Sequence, residues 1–277
     1  MKENAMDRLK RLAGALVAVM LIVAGLGGGS IGNDEANDNR AQPVEVADGL
    51  EAALQKTFDA HGGLDRWRAQ RQFSYALVGF PLSQQVARPH RQTVDLRTRR
   101  NRIESEGFTV GFNGKVAWSV PGPDAVGLPI RFFNLGSACF IGMPFVFADP
   151  GVIVTDAGEG TFRGKSYRVV QIGYESGVGH SDKDDFTLFI DPDTNRLALI
   201  NHSVTETGIK RVTWVFDEWQ QVNGLLIPSK MTFHPGWNPD DPGEGASFTI
   251  EDAAFSTEPP DPSIYEPPAD AVIEGAP

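Results

Sequence analysis

One cysteine, Cys139, stands in 277 residues, so no intramolecular disulfide can form and a packed core has to hold the fold. Basic residues are also scarce. Lys and Arg number 25 against 36 Asp and Glu, a formal charge of −11, which disfavours nucleic acid as a partner. Residues 1–43 hold five acidic and five basic side chains, so the whole excess of negative charge belongs to the rest of the chain. Catalytic motifs are the third shortage. After residue 43 there is no Gly-x-Ser-x-Gly elbow: Glu175-Ser176-Gly177 lacks the upstream glycine. The histidines, His61, His90, His180, His202 and His234, lie far apart, with no His-x-x-x-His spacing and no cysteine pair, so a metal site would need strands to converge by chance. The densest ligand-like cluster, residues 180–185 (HSDKDD), reads as a charged loop before a strand. Residues 191–195 (DPDTN) open like a calcium loop, but Arg196 and His202 stand where glycine and glutamate are required. The chain therefore reads as a non-enzyme with no cofactor and no metal; a hydrolase reading finds no convergent pair of groups to carry it.

Among the features present, the N-terminus sets the compartment. Lys2, Arg8, Lys10 and Arg11 precede an apolar run at residues 12–26 and small residues at 27–30, the pattern of a signal peptide. The run is shorter than the roughly 20 residues that span a bilayer comfortably. Residues 1–30 thus read either as a signal peptide or as an uncleaved N-terminal membrane anchor, and no cysteine follows to carry a lipid anchor. Polar, turn-rich residues 31–43 read as a disordered tether. The folded part is expected in the periplasm or cell envelope.

From residue 44 the patterning is that of one domain. Val46, Leu50, Ala53, Leu54, Thr57 and Phe58 recur at helical spacing, with Asp48 as N-cap and Gly62-Gly63 as the stop. Leu64 and Trp67 begin a second short turn. Period-two alternation then marks strands at residues 73–80, 91–105, 108–112, 115–120, 167–175, 185–191, 197–206, 211–222, 225–234 and 246–255. Asn113-Gly114 and Asn223-Gly224 are two-residue hairpin signals, and nothing resembles a crossover helix. The predicted fold is mainly β (α+β): a large antiparallel sheet of about 8–11 strands that must curl as twist accumulates, an incomplete barrel with helices over its concave face. Residues 256–277 read as an acidic, proline-rich tail.

Residues 130–151 (IRFFNLGSACFIGMPFVFADPG) carry only Arg131 and Asp149 as charges, too much hydrocarbon to face water. Either they form an ordinary core helix, or they line or plug a cavity for an apolar ligand. The cavity reading assigns Phe132, Phe133, Leu135, Phe140, Ile141, Met143, Phe145 and Phe147, with Trp118 and Trp214, as lining residues. Gly136, Gly142, Pro144 and Gly151 would break the segment into hinged pieces. Arg88, His90, Arg91, Arg97, Arg99, Arg100 and Arg102 concentrate positive charge on one hairpin. That is either a solvated strand face or a polar mouth, with Arg131 and Arg99 as the candidates to meet a headgroup.

The helix running into AHGGLDRW (residues 60–67), the meander, MPFVFADPGV (143–152), FIDPDTNRL (189–197) and VFDEWQQVNGLLIPSKMTF (215–233) resemble a branch of exported bacterial proteins similar to the periplasmic lipoprotein carriers, the LolA/LolB-like superfamily. The resemblance covers roughly residues 44–255. It implies a half-barrel capped by helices over a hydrophobic cavity, no catalytic residues, and a lipid or lipoprotein acyl chain as ligand of a monomer. A different class stays open: an envelope interaction module whose concave face is packed solid and whose partners are envelope proteins met through its outer surface.

Overall fold

The computed structural model describes residues 48–176, 184–204 and 209–274. The leader and tether at 1–43, and His180 with residues 181–183, lie outside the described residues. Two helices, α1 (Asp48–Ala60) and α2 (Leu64–Ala69), lead into β1 (Gln72–Val78), β2 (His90–Asp95), β3 (Asn101–Ser105), β4 (Phe108–Phe112) and β5 (Ala117–Val120). After α3 (Ile130–Ile141) and a 3-10 turn at Phe145–Ala148 come β6 (Val152–Phe162), β7 (Lys165–Tyr174), β8 (Phe186–Ile190), β9 (Leu197–Val204), β10 (Ile209–Val222), β11 (Leu225–His234) and β12 (Ala246–Ser256). A 3-10 turn at Pro262–Tyr265 and β13 (Val272–Glu274) close the described chain. No described helix is long and apolar enough to cross a membrane.

All the described strands join one sheet in the order β13-β5-β4-β3-β2-β1-β12-β11-β10-β9-β8-β7-β6, every pairing antiparallel. β13 and β6 have one neighbour each, so the sheet is unclosed. The order encodes the path. One meander runs outward from β1 to β5, and a second runs inward from β6 to β12, where it pairs with β1. The chain must therefore travel from β5, beside one edge, to β6 at the other. Residues 121–151 make that passage over the inner face, so the apolar segment is a strap across the half-barrel. Its helix lies against β3, β4 and β5, and its side chains join one core with the inward residues of both meanders and of α1 and α2.

Turn chemistry fixes the register. Asn223 and Gly224 have φ of 50° and 76°, the pair of positive values that a type I′ hairpin needs. The stop after α1 has the tightest requirement. Gly62 sits at φ 106°, and a Cβ there would lie 2.2 Å from the carbonyl oxygen of Gly224. The same spot is clamped by Arg66, whose Nη1 donates to the carbonyl oxygens of Gly62 (2.6 Å) and Gly224 (3.2 Å).

The mainly β, unclosed antiparallel sheet is the one expected, and details of it differ. Its described strands number thirteen, more than about 8–11. One gain comes from residues 91–105, which are two strands. The Asp95 carboxylate accepts from the backbone N–H groups of Arg97 (2.9 Å) and Thr98 (3.3 Å), and Arg99 takes φ 60°, a turn built without glycine or proline. β6 was not expected because its VIVTDAGEGTF is largely exposed. The segment after Phe255 is not a free tail: Tyr265 is buried and β13 pairs with β5. Gly136 does not break the apolar segment but stands inside α3.

Replacing Gly62 with Ala should therefore cost about 3 kcal/mol or more. Thermal melts should show Tm lower by about 6–12 °C; an unchanged Tm would show that the α1 stop is not a constrained contact with the β10–β11 turn.

Candidate functional site

The inner face is mostly hydrocarbon with a polar seam through it. On β1 the inward side chains are Phe73, Tyr75 and Leu77. Gln92 of β2 and Asn101 of β3 are wholly buried beside Val94 and Ile103. Above them α3 turns Asn134 and Ser137 toward the sheet, both buried. Tyr75 donates its hydroxyl to Gln92 Oε1 (2.5 Å), and Ser137 Oγ lies 2.9 Å from the same oxygen. Gln92 Nε2 (3.3 Å) and Asn101 Nδ2 (3.2 Å) both donate to the main-chain oxygen of Asn134. Burial holds the Tyr75 hydroxyl well above its ordinary pKa, so it remains a donor. The same inward side buries Ile130, Phe133, Phe140 and Ile141, while Arg131 is exposed and Phe132, Leu135 and Cys139 are half-buried on the outward side. Burial pushes the Cys139 thiol up to about 12, which keeps it from acting as a thiolate.

An aromatic seam flanks the polar one. Phe140 stacks on Trp214 of β10 at 4.6 Å, and Phe145 of the 3-10 turn lies between Trp67 (4.9 Å) and Phe58 (6.1 Å). Three buried histidines support these rings. His90 meets Phe133 at 5.4 Å, His202 meets Phe140 at 5.2 Å, and His61 meets Phe145 edge-on at 6.3 Å. The hydrogen bonds of His61 and His202 require neutral imidazoles. His202 Nε2 accepts from the Trp214 indole (3.1 Å) and His61 Nε2 accepts from the Leu197 N–H (3.1 Å). The other nitrogen of each then donates, His202 Nδ1 to the Ser203 oxygen and His61 Nδ1 to the Leu226 oxygen. Burial lowers both pKa values to about 4 and lowers that of His90.

The predicted lining is brought together in part. Phe133, Phe140, Ile141, Met143, Phe145, Phe147 and Trp214 share the buried core of the inner face, with Phe132 and Leu135 packed on its outside. Trp118 does not belong with them. Its neighbour Ala117 faces the main core, whereas the Trp118 indole donates to the Tyr265 oxygen (2.8 Å) and carries Arg102 over its ring at 5.7 Å. It is on the outer face, under the C-terminal segment, in room that Gly111 leaves: a Cβ there would lie 2.4 Å from the indole. Nor do the two mouth arginines form one site. Arg99 pairs with Asp149 at the end of the strap. Arg131 is at the start of α3, its N–H donating to Glu274 (2.8 Å) and its guanidinium over Phe112. His90 leaves the basic hairpin for the core. Sequence reasoning missed Tyr75, Gln92, Asn101, Asn134 and Ser137; the available signal was polar side chains at inward positions of strands and helix.

A cavity of about 380 Å3 lies elsewhere, lined by Phe162, Arg163, Tyr167, Leu199, Val215 and Asp217 among others, and by no residue of the strap. Among the described residues no group of three or more His, Cys, Asp or Glu could hold a metal ion.

The architecture matches the half-barrel that the sequence resemblance implied. The model of a family of unknown function, DUF6503, matches residues 132–235. No curated protein matches the sequence. Among solved structures, the chain is similar to a LolA superfamily protein from Nitrosomonas europaea, with 11% identity, 78% of this chain and 97% of that one covered, and a TM-score of 0.47. It is also similar to a DUF1329 family protein from Desulfovibrio piger, with 9% identity, coverage of 76% and 94%, and a TM-score of 0.41. Likeness at these identities and scores says nothing of what this protein binds.

The histidines give a pH prediction whose sign is fixed. In the unfolded chain they titrate near 6.5 and in the fold His61 and His202 titrate at about 4. Between those values the unfolded state holds more protons, so stability is full above 6.5 and is lost as pH falls toward 4. At about 1.4 kcal/mol per pKa unit each of the two withdraws roughly 3 kcal/mol. Asp149, raised by burial, acts in the opposite sense nearer its own range. Urea midpoints should fall steadily from pH 7 to pH 4; a flat profile would mean these imidazoles are not held neutral.

Proposed function

We propose that the protein is a non-enzymatic carrier of lipid in the cell envelope, taking acyl chains between the strap and the inner face of the half-barrel. The observation that carries this reading is the polar seam under α3, where Asn134 and Ser137 are buried among Ile130, Phe133, Phe140 and Ile141 and bonded to Gln92 and Asn101. A helix with a final resting place in a core has no need of polar side chains turned to the sheet. Phe133, Phe140, Ile141, Met143, Phe145, Phe147 and Trp214 supply the inner lining, with Phe132 and Leu135 on the outer shoulder of the helix. Arg99 and Arg131 stand at the two ends of the strap, where a headgroup or an envelope protein would be met. Trp118, on the outer face, is left out of the site.

Magnitudes decide how a ligand enters. Ile130, Phe133, Phe140, Ile141, Met143, Phe145, Val146 and Phe147 are all buried, and at roughly 1.5–3 kcal/mol each they outweigh the about 8 kcal/mol that ten methylenes bring. One chain therefore does not expel the strap. It shifts α3 while the 3-10 turn, held between Trp67 and Phe58, stays docked. The protein would act as a monomer, reaching the membrane through residues 1–30 where these remain attached.

The burial of the strap's side chains against the inner face favours a second reading, an interaction module that works through its outer surface and its two sheet edges. Native mass spectrometry of the full-length chain, recovered from the envelope of a Gram-negative host, separates the two. A stoichiometric lipid or fatty acid is expected. A clean ligand-free mass, unchanged after incubation with envelope lipids, would overturn the carrier reading in favour of the module.

A further inference from the structure

Resting on the carrier reading, we infer that the ligand is recognised at an acyl carbonyl, ester or amide, by Gln92 and Asn101, which now hold the main-chain oxygen of Asn134. The geometry of that oxygen carries the point. Two side-chain amides from neighbouring strands converge on it, Gln92 Nε2 at 3.3 Å and Asn101 Nδ2 at 3.2 Å. The Gln92 amide is not free to turn, because Tyr75 donates to its Oε1 at 2.5 Å and so directs Nε2 at the strap. Tyr75, Gln92 and Asn101 are all wholly buried.

A shift of α3 takes this acceptor away. Two buried amide donors would then face whatever replaces the helix, Asn101 Nδ2 keeping only the Arg99 oxygen at 3.5 Å, and leaving such donors unmatched costs more than an ordinary hydrogen bond contributes. A plain hydrocarbon offers no acceptor. The carbonyl of an acyl ester or amide offers the one atom that the main chain of Asn134 supplies in the empty state, with the acyl chain continuing into the aromatic seam. A second observation points the same way. Among the described residues Asn101 Oδ1 and Asn134 Oδ1 are buried without a hydrogen-bond partner, so the seam is incomplete with the strap in place. Once Asn134 has moved, Asn101 presents its donor beside that of Gln92 to a single carbonyl oxygen. Gln92 and Asn101 thus determine specificity, and Tyr75 positions Gln92.

The test is displacement of a fluorescent naphthylamine probe from the full-length protein by heptadecane, methyl palmitate and N-methyl palmitamide, which share a chain and differ in the carbonyl. The ester and the amide should compete about tenfold better than the alkane, one hydrogen bond's worth of selectivity. The advantage should vanish in Gln92→Met and Asn101→Leu while the alkane is unaffected. Equal competition by all three overturns this inference and leaves the carrier reading standing; no competition by any of them overturns the carrier reading itself. The comparison within the wild-type protein does not depend on how the variants fold.

Discussion

Everything in this molecule follows from a sheet that curls without closing. Accumulated twist gives it an inner face, and the strand order gives that face its cover. Because the first meander ends beside one edge and the second begins at the other, the connection cannot be a short turn. It has to span the concavity, and anything that spans it must be apolar enough to complete the core. The apolar stretch at 130–147, with Arg131 as its one charge, is the sequence's answer to that topological demand. The two edges left over are handled in different ways. β6 is bulged between Asp156 and Gly158 and studded with acidic side chains, features that discourage pairing with another chain. β13 is three residues long.

How much of this was legible depends on where each residue's partner lies. Local signals read well: Gly62-Gly63 at the helix stop, Asn223-Gly224 in its hairpin, and the alternation of Phe73, Tyr75 and Leu77. Features set by distant chain did not. Trp118 looked like cavity lining because large aromatics usually face a core, and its true face is fixed by Tyr265, which is 147 residues away. β6 escaped notice because an exposed edge strand needs no apolar alternation. The β2–β3 turn was hidden by the absence of glycine and proline, its geometry resting on one carboxylate, Asp95. The polar seam was hardest. Gln92 and Asn101 interrupt otherwise apolar inward positions, and only the helix overhead gives that interruption a meaning.

The histidines make the same point from the opposite side. Read in sequence they were weak metal candidates and, for His90, part of a basic patch. In the fold His61, His90 and His202 are small aromatic spacers, each against a phenylalanine of the strap. A charged imidazole in any of these places would lose an accepted hydrogen bond or enter a hydrocarbon pocket with no counter-charge. The burial that keeps the strap down and the neutrality of these rings are thus one condition seen from two sides.

That leaves the question of why a core should contain a polar seam at all. Packing alone would favour hydrocarbon, since replacing a buried hydrogen-bonded pair by apolar groups of similar shape is close to neutral or stabilising. Fixing the register of α3 is one return on the seam, but two buried acceptors without donors are a poor way to fix a register. The seam makes better sense as a surface used twice, once by the helix and once by something that replaces it. On the carrier reading, phenylalanine packing keeps the strap attached and the weaker amide contacts select what it gives way to.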